Sequence, residues 1–135
     1  MAGRYILKVR LEFAASHQLH GYPGDCARLH GHNWKVEVEV EARGLDELGM
    51  GMDFKRIKAL AREAVDRLDH RHLNELPSFR ERNPTAERIA EHLYRELTPS
   101  LEGERTRLLA VTVWETDRAG VRYSEEEGPG KEGRP

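Results

Sequence analysis

The sequence predicts an α+β fold: an antiparallel four-stranded sheet with two helices on one face, in the order β-β-α-α-β-β. Three observations predict it. Residues 4–17, 32–42 and 107–116 alternate apolar and polar side chains, the period-two signature of strands with one buried face. Residues 54–68, and a second run starting near Pro84, repeat apolar side chains at helical spacing. Strand pairs on either side of two helices settle as a sheet with both helices on one face.

In the first strand Tyr5, Leu7, Val9, Leu11 and Phe13 share one parity, with Arg4, Lys8, Arg10 and Glu12 on the other and Ile6 as the exception. Gly21, Pro23, Gly24, Asp25 and Gly31 then make residues 18–31 a loop. The second strand is the cleanest: Trp34, Val36, Val38, Val40 and Ala42 face one way, Lys35, Glu37, Glu39 and Glu41 the other. Antiparallel pairing with the first is expected. After a glycine-containing loop, Asp53 is the expected N-cap of a helix buried through Phe54, Ile57, Leu60, Ala61, Ala64, Val65 and Leu68. Asp69 to Asn74 end that helix. A second helix begins near Pro84 or Thr85, with Asn83 as a fitting cap, presents Ala86, Ile89, Ala90, Leu93 and Leu97, and stops at Pro99. The third strand sets Leu109, Val111, Val113 and Glu115 against Ala110, Thr112 and Trp114. Asp117 to Gly120 turn the polypeptide into a short fourth strand from Val121 to Tyr123. Residues 1–124 are thus expected to form one domain, and the Gly-, Pro- and charge-rich residues 125–135 a disordered tail. Four strands leave two open edges, so assembly by strand pairing between subunits is expected.

With 135 residues the chain suits one domain. Its 22 basic and 24 acidic residues give a net charge of −2, without the basic excess of a nucleic-acid footprint. The charged stretch from Arg4 to Arg10 excludes a signal-peptide apolar region and a membrane span there, and a single cysteine excludes an internal disulfide. A cytoplasmic protein that binds neither nucleic acid nor membrane is the expectation.

The chemistry concentrates around Cys26-Ala27-Arg28-Leu29-His30-Gly31-His32. His30 and His32 point the same way on an extended segment, and parity sets His32 with Trp34 and His17 with Phe13. If the two strands pair, three imidazoles converge at one end of the sheet. Three neutral imidazoles suit Zn²⁺ and leave a fourth position open, the arrangement of catalytic rather than structural zinc; ordinary strand-end histidines are the plainer alternative. Cys26 sits in a polar loop, which favours exposure over burial. It can be a zinc ligand, a nucleophile or a general base, and spacing does not choose among them. Asp69 and His70, adjacent at a helix end, can turn toward each other as a carboxylate–imidazole pair; a histidine favoured there by the helix dipole is the alternative. Glu115 shares the parity of Val111 and Val113, so its carboxylate is paired, in a site, or reaching solvent at the strand end. His20, His72 and His92 read as surface or structural.

Six short motifs, in order, together resemble the 6-pyruvoyl-tetrahydropterin synthase / QueD family over residues 4–124. They are Phe13-Ala14-Ala15-Ser16-His17; Cys26 with His30-Gly31-His32-Asn33; Gly49 to Phe54; Leu68-Asp69-His70 with Leu73-Asn74; Pro84-Thr85 with Glu87; and Trp114-Glu115-Thr116. The three-residue gap between Cys26 and His30 resembles the bacterial 6-carboxytetrahydropterin synthase branch. Gly51 and Trp34 replace a more usual Val and Tyr. The resemblance implies a tunnelling fold whose sheets join into an oligomeric barrel, usually a homohexamer of two trimers, with active sites at subunit interfaces. It implies a lyase that converts 7,8-dihydroneopterin triphosphate to 6-carboxy-5,6,7,8-tetrahydropterin, releasing acetaldehyde and triphosphate on the route to queuosine. By the same resemblance His17, His30 and His32 hold zinc, Cys26 is the general base, and His70 oriented by Asp69 its acid–base partner. Glu115 takes the pterin's N–H edge and Thr85 helps hold the ligand. The alternatives are the pyruvoyl-forming enzyme on the same substrate, a non-catalytic zinc- or pterin-binding module, and a zinc hydrolase.

Overall fold

The computed structural model describes residues 3–24 and 28–126. Cys26 and, from residue 127, the expected tail lie outside them. The elements are β1 (Tyr5–His17), β2 (His30–Ala42), α1 (Phe54–Asp66), β3 (Arg71–His72), α2 (Ala86–Leu101), β4 (Thr106–Thr116) and β5 (Ala119–Tyr123). Single 3-10 turns at Leu73–Glu75 and Pro77–Phe79 connect β3 to α2.

The sheet runs β3-β1-β2-β4-β5. All neighbours are antiparallel except β3, which lies parallel to β1 with Ala15 opposite Arg71 and Ser16 opposite His72. The sheet is therefore five-stranded and mixed, where the sequence predicts four antiparallel strands. Two residues are too few to show alternation, so β3 leaves no periodic trace. The β1–β2 register places Val9 opposite Val38, Leu11 opposite Val36 and Phe13 opposite Trp34. Phe13 and Trp34 stack with their ring centroids 5.9 Å apart. Both helices press on this face: α1 contributes Ile57, Ala61, Ala64 and Val65, and α2 contributes Ile89, Ala90, Leu93, Tyr94, Leu97 and Leu101, all buried.

Three local expectations are corrected. Pro99 does not stop α2, which continues to Leu101 and fully buries that residue. Proline removes one N–H near the end, where few bonds remain to be lost. Phe54 is 52% exposed and off the apolar face. In β4 a bulge opposite Glu39 and Val40 pairs Val40 with Leu108, so Leu108 joins Val111 and Val113 in the core and Leu109 does not.

The outer face carries Glu37, Glu39 and Glu41 on the central strand, each with arginine partners. Glu41, with a side chain 1% exposed, accepts from Arg4 at 2.7 Å and Arg107 at 2.8 Å, and Glu39 accepts from Arg122 at 2.8 Å. Burial alone would push the Glu41 carboxyl up; the two arginines outweigh it and hold it below its ordinary value. Gly51 is explained by space: a Cβ there would sit 2.6 Å from the Ala42 Cβ, with Leu7 at 3.4 Å. Gly51→Ala should destabilise the protein by about 1–3 kcal/mol through this overpacking. Urea unfolding of the two proteins measures it, and an unchanged midpoint would mean the loop relaxes freely.

Candidate active site

His17 ends β1 and pairs with His30, the first residue of β2; His32 lies opposite Ala15. Antiparallel register thus aims all three rings to the helix side of the sheet. Ring centroids are 4.5 Å apart for His17–His30, 4.8 Å for His30–His32 and 5.3 Å for His17–His32. Trp34 floors the group, its ring 5.0 Å from His17 and 5.2 Å from His32, and its indole N–H donates to the Ala15 carbonyl at 3.2 Å.

The hydrogen bonds fix the tautomers. His17 Nδ1 donates to the Pro84 carbonyl at 2.8 Å, and His30 Nδ1 to the Arg28 carbonyl at 2.7 Å. A carbonyl only accepts, so both Nδ1 atoms carry hydrogen and both neutral rings leave Nε2 bare. Those two bare nitrogens face each other at 2.9 Å. Facing lone pairs at that distance repel unless a cation or proton lies between them. His32 Nε2 is buried and has no aligned hydrogen bond, although Glu115 Oε2 is only 3.0 Å away. The donors fit a divalent metal: imidazole Nε2 atoms converge, and the second nitrogens of His17 and His30 are anchored to backbone oxygens.

Glu115 completes the group. It follows Val111 and Val113 at their parity on β4, and its Oε2 is 3.3 Å from His17 Nε2. One donor atom from each of His17, His30, His32 and Glu115 lies within 4.8 Å of every other. The sequence reading reserves an open fourth position; here a carboxylate with a side chain 32% exposed stands beside it. Burial lowers the pKa of both His17 and His32. The Pro84 carbonyl partly opposes the shift at His17, and the Glu115 carboxylate does so at His32.

Asp69 and His70 come together as the sequence suggests, with His70 Nδ1 3.1 Å from Asp69 Oδ2. Asp69 Oδ1 also accepts the Ala14 N–H at 2.9 Å; that bond, then His70, holds the Asp69 carboxyl below its usual value. His70 is left-handed, φ +60°, with a side chain 81% exposed. It is not a member of the imidazole–carboxylate group. With His32, Arg71 and His72 it lines an open cleft of about 480 Å³. Thr85 caps α2, its hydroxyl accepting the Arg88 N–H at 3.2 Å, and Asn83 is not the cap. His72 bonds Ser16 Oγ at 2.9 Å, and His92 lies 3.2 Å from Glu96. Sequence reasoning missed Pro84, whose backbone carbonyl carries no side-chain signal, and set Trp34 on the face of His32 without giving it a part in the site.

Fold and site define an α+β protein whose sheet end carries three imidazoles and a carboxylate able to hold a metal. Residues 6–126 match the 6-pyruvoyl tetrahydropterin synthase family. The chain is 35% identical to 6-carboxy-5,6,7,8-tetrahydropterin synthase of Rickettsia bellii, covering 83% of this chain and 94% of that one. It is 37% identical to dihydroneopterin monophosphate aldolase of Pyrococcus furiosus, over 69% of this chain and 75% of that one. The structure of Caenorhabditis elegans 6-pyruvoyl tetrahydropterin synthase superposes with a TM-score of 0.82 at 24% identity, covering 93% of this chain and 98% of that one. The chain belongs to the 6-pyruvoyl tetrahydropterin synthase family, has its tunnelling fold, and is an enzyme of the lyase class. No helix among the described residues is long and apolar enough to cross a membrane.

Lowered pKa values keep His17 and His32 neutral where ordinary imidazoles begin to protonate. Metal occupancy should therefore hold as pH falls to about 6.5, the ordinary imidazole value, and decline only below it. The same shift means the unfolded protein binds more protons, so the metal-free protein loses stability as pH falls through that value. Equilibrium dialysis with Co²⁺ across pH reads the first effect, and metal lost already near pH 7.5 would contradict it.

Proposed function

We propose that the protein converts 7,8-dihydroneopterin triphosphate and water to 6-carboxy-5,6,7,8-tetrahydropterin, acetaldehyde and triphosphate, with Zn²⁺ held by His17, His30 and His32. The observation that carries this reading is the convergence of bare imidazole nitrogens on one point. Family membership and the relative from Rickettsia bellii support the substrate class. When bound, zinc supplies Lewis acidity that eases proton loss beside the hydroxyls of the substrate's side arm.

The protein's own residues move the protons. Cys26 is the general base that removes a proton from a hydroxyl-bearing carbon of the substrate, and His70, held by Asp69, returns or accepts one. Each group contributes about 10²–10⁴ in rate. The two electrons lost at one hydroxyl-bearing carbon reduce the dihydropterin ring, and the two lost at the other go to the neighbouring carbon as it expels triphosphate and becomes a methyl group, so no external oxidant is required. Adding water across the bond between those carbons yields the carboxylate and acetaldehyde; without it the product is the pyruvoyl compound. Glu115 accepts from the pterin's N–H edge, a two-donor face that suits a carboxylate. Thr85, already capping α2, has a smaller part in holding the ligand.

His70 is exposed and outside the donor group, which supports a site completed by a neighbouring subunit. Leu29 and Leu48, 63% and 81% exposed, support further burial on assembly. Residues 1–124 act as one domain within a cytoplasmic homohexamer of two trimers, serving queuosine synthesis. The Pyrococcus furiosus relative favours a second reading, an aldolase acting on the monophosphate.

Zinc-loaded protein given the triphosphate should release acetaldehyde, with the carboxy product identified by mass. The pyruvoyl mass, or turnover of the monophosphate alone, would replace this reading with the corresponding alternative. Cys26→Ala should lower kcat by about 10²–10⁴ while retaining zinc; unchanged turnover would remove Cys26 from the mechanism. Glu115→Gln should raise KM while zinc content stays near one per subunit. Loss of zinc would make Glu115 a metal ligand instead.

A further inference from the structure

After His17 the polypeptide leaves β1, yet its backbone stays held on the side away from β2. The Gln18 N–H donates to Asn74 Oδ1 at 2.9 Å, and Asn74 Nδ2 donates to the Gln18 carbonyl at 2.8 Å. Two residues on, Asn83 does the same to His20: the His20 N–H donates to Asn83 Oδ1 at 2.8 Å, and Asn83 Nδ2 donates to the His20 carbonyl at 2.9 Å. A primary amide offers one donor and one acceptor along one edge. Each asparagine thus reproduces the pair of bonds a neighbouring strand residue would make. The residue after Asn83 is Pro84, whose carbonyl accepts from His17 Nδ1. The Thr85 N–H returns to the Asn83 carbonyl at 2.9 Å, folding residues 83–85 into one small unit.

We propose that Asn83, seconded by Asn74, is a positioning residue for the metal ligand His17. Its amide ties the backbone three residues past His17 to the same unit that presents the Pro84 carbonyl to the imidazole. The distance between strand end and carbonyl is thereby fixed, and with it the tautomer that leaves His17 Nε2 bare. Aspartate cannot substitute, because it keeps the acceptor but sets a second oxygen against the His20 carbonyl. The inference rests on His17 being a metal ligand, as read above.

The test compares wild type, Asn83→Ala, Asn83→Asp and, as a control for simple loss of stability, Gly51→Ala. In the metal-free protein, ¹⁵N NMR of the imidazoles should show His17 as the Nδ1–H tautomer in wild type and Gly51→Ala, and as a mixture in both Asn83 variants. Zinc affinity, by chelator competition, should fall about 10–100-fold in the Asn83 variants, as for lost partners behind a metal ligand, and stay unchanged in the control. With substrate, kcat should fall and KM hold. Unchanged tautomer and affinity in the Asn83 variants would overturn the proposal and leave the asparagine a fastener of the fold. If Asn83→Ala does not fold, Asn83→Asp decides by the same readouts. The tautomer and metal measurements need no turnover, so failure of the proposed reaction is distinguishable from failure of this inference.

Discussion

Fold and site both depend on how the outer edge of β1 is satisfied from Ala14 to His20. A strand backbone presents alternate residues to each side, and β2 takes one side only. On the other, the Asp69 carboxylate and the His70 N–H take the two groups of Ala14, β3 pairs with Ala15 and Ser16, Asn74 takes Gln18, and Asn83 takes His20. Residues 69–83 therefore act as a discontinuous strand made of side chains as much as backbone. The edge is closed against stray pairing. The same stretch turns the exposed His70 outward and delivers the Pro84 carbonyl to His17.

This stitching separates two chemical environments. Inside, burial beside a tryptophan floor and an apolar core lowers the pKa of His17 and His32, and backbone oxygens orient His17 and His30. Outside, the sheet carries a ladder of carboxylates matched by arginines, with Glu41 almost wholly buried between Arg4 and Arg107. Breaking one member of such a pair strands a charge, so the ladder constrains register as much as it adds stability.

Much of this was legible in the residues. Period two placed β1, β2 and β4, and parity carried His17, His32 and Glu115 to one face, because β1 pairs with β2 without interruption from Tyr5 to His17 and β4 pairs with β2 without a shift from Val111 to Trp114. Parity failed at Leu109, where a bulge changed the phase, and β3 was too short to have one. Asp69 and His70 were readable as a pair, though not that the bond to Ala14 would anchor them. The asparagine clamps and the Pro84 carbonyl were invisible because each contact spans 56 to 67 positions and has at one end a backbone atom of a kind common to every residue. Cys26, the residue on which most of the proposed chemistry turns, lies outside the described structure.

The donors come from positions 17, 30, 32 and 115, and the carbonyl that orients the first of them from position 84. No contiguous fragment shorter than residues 17–115 holds the set. A truncated protein that keeps the β1–β2 hairpin therefore keeps the three histidines but loses the Pro84 carbonyl that orients His17 and the carboxylate beside them, while the complete architecture offers all of them together. Completion of the site is in this sense an inspection of the finished molecule, passed only when strands from both halves of the polypeptide have found the same sheet.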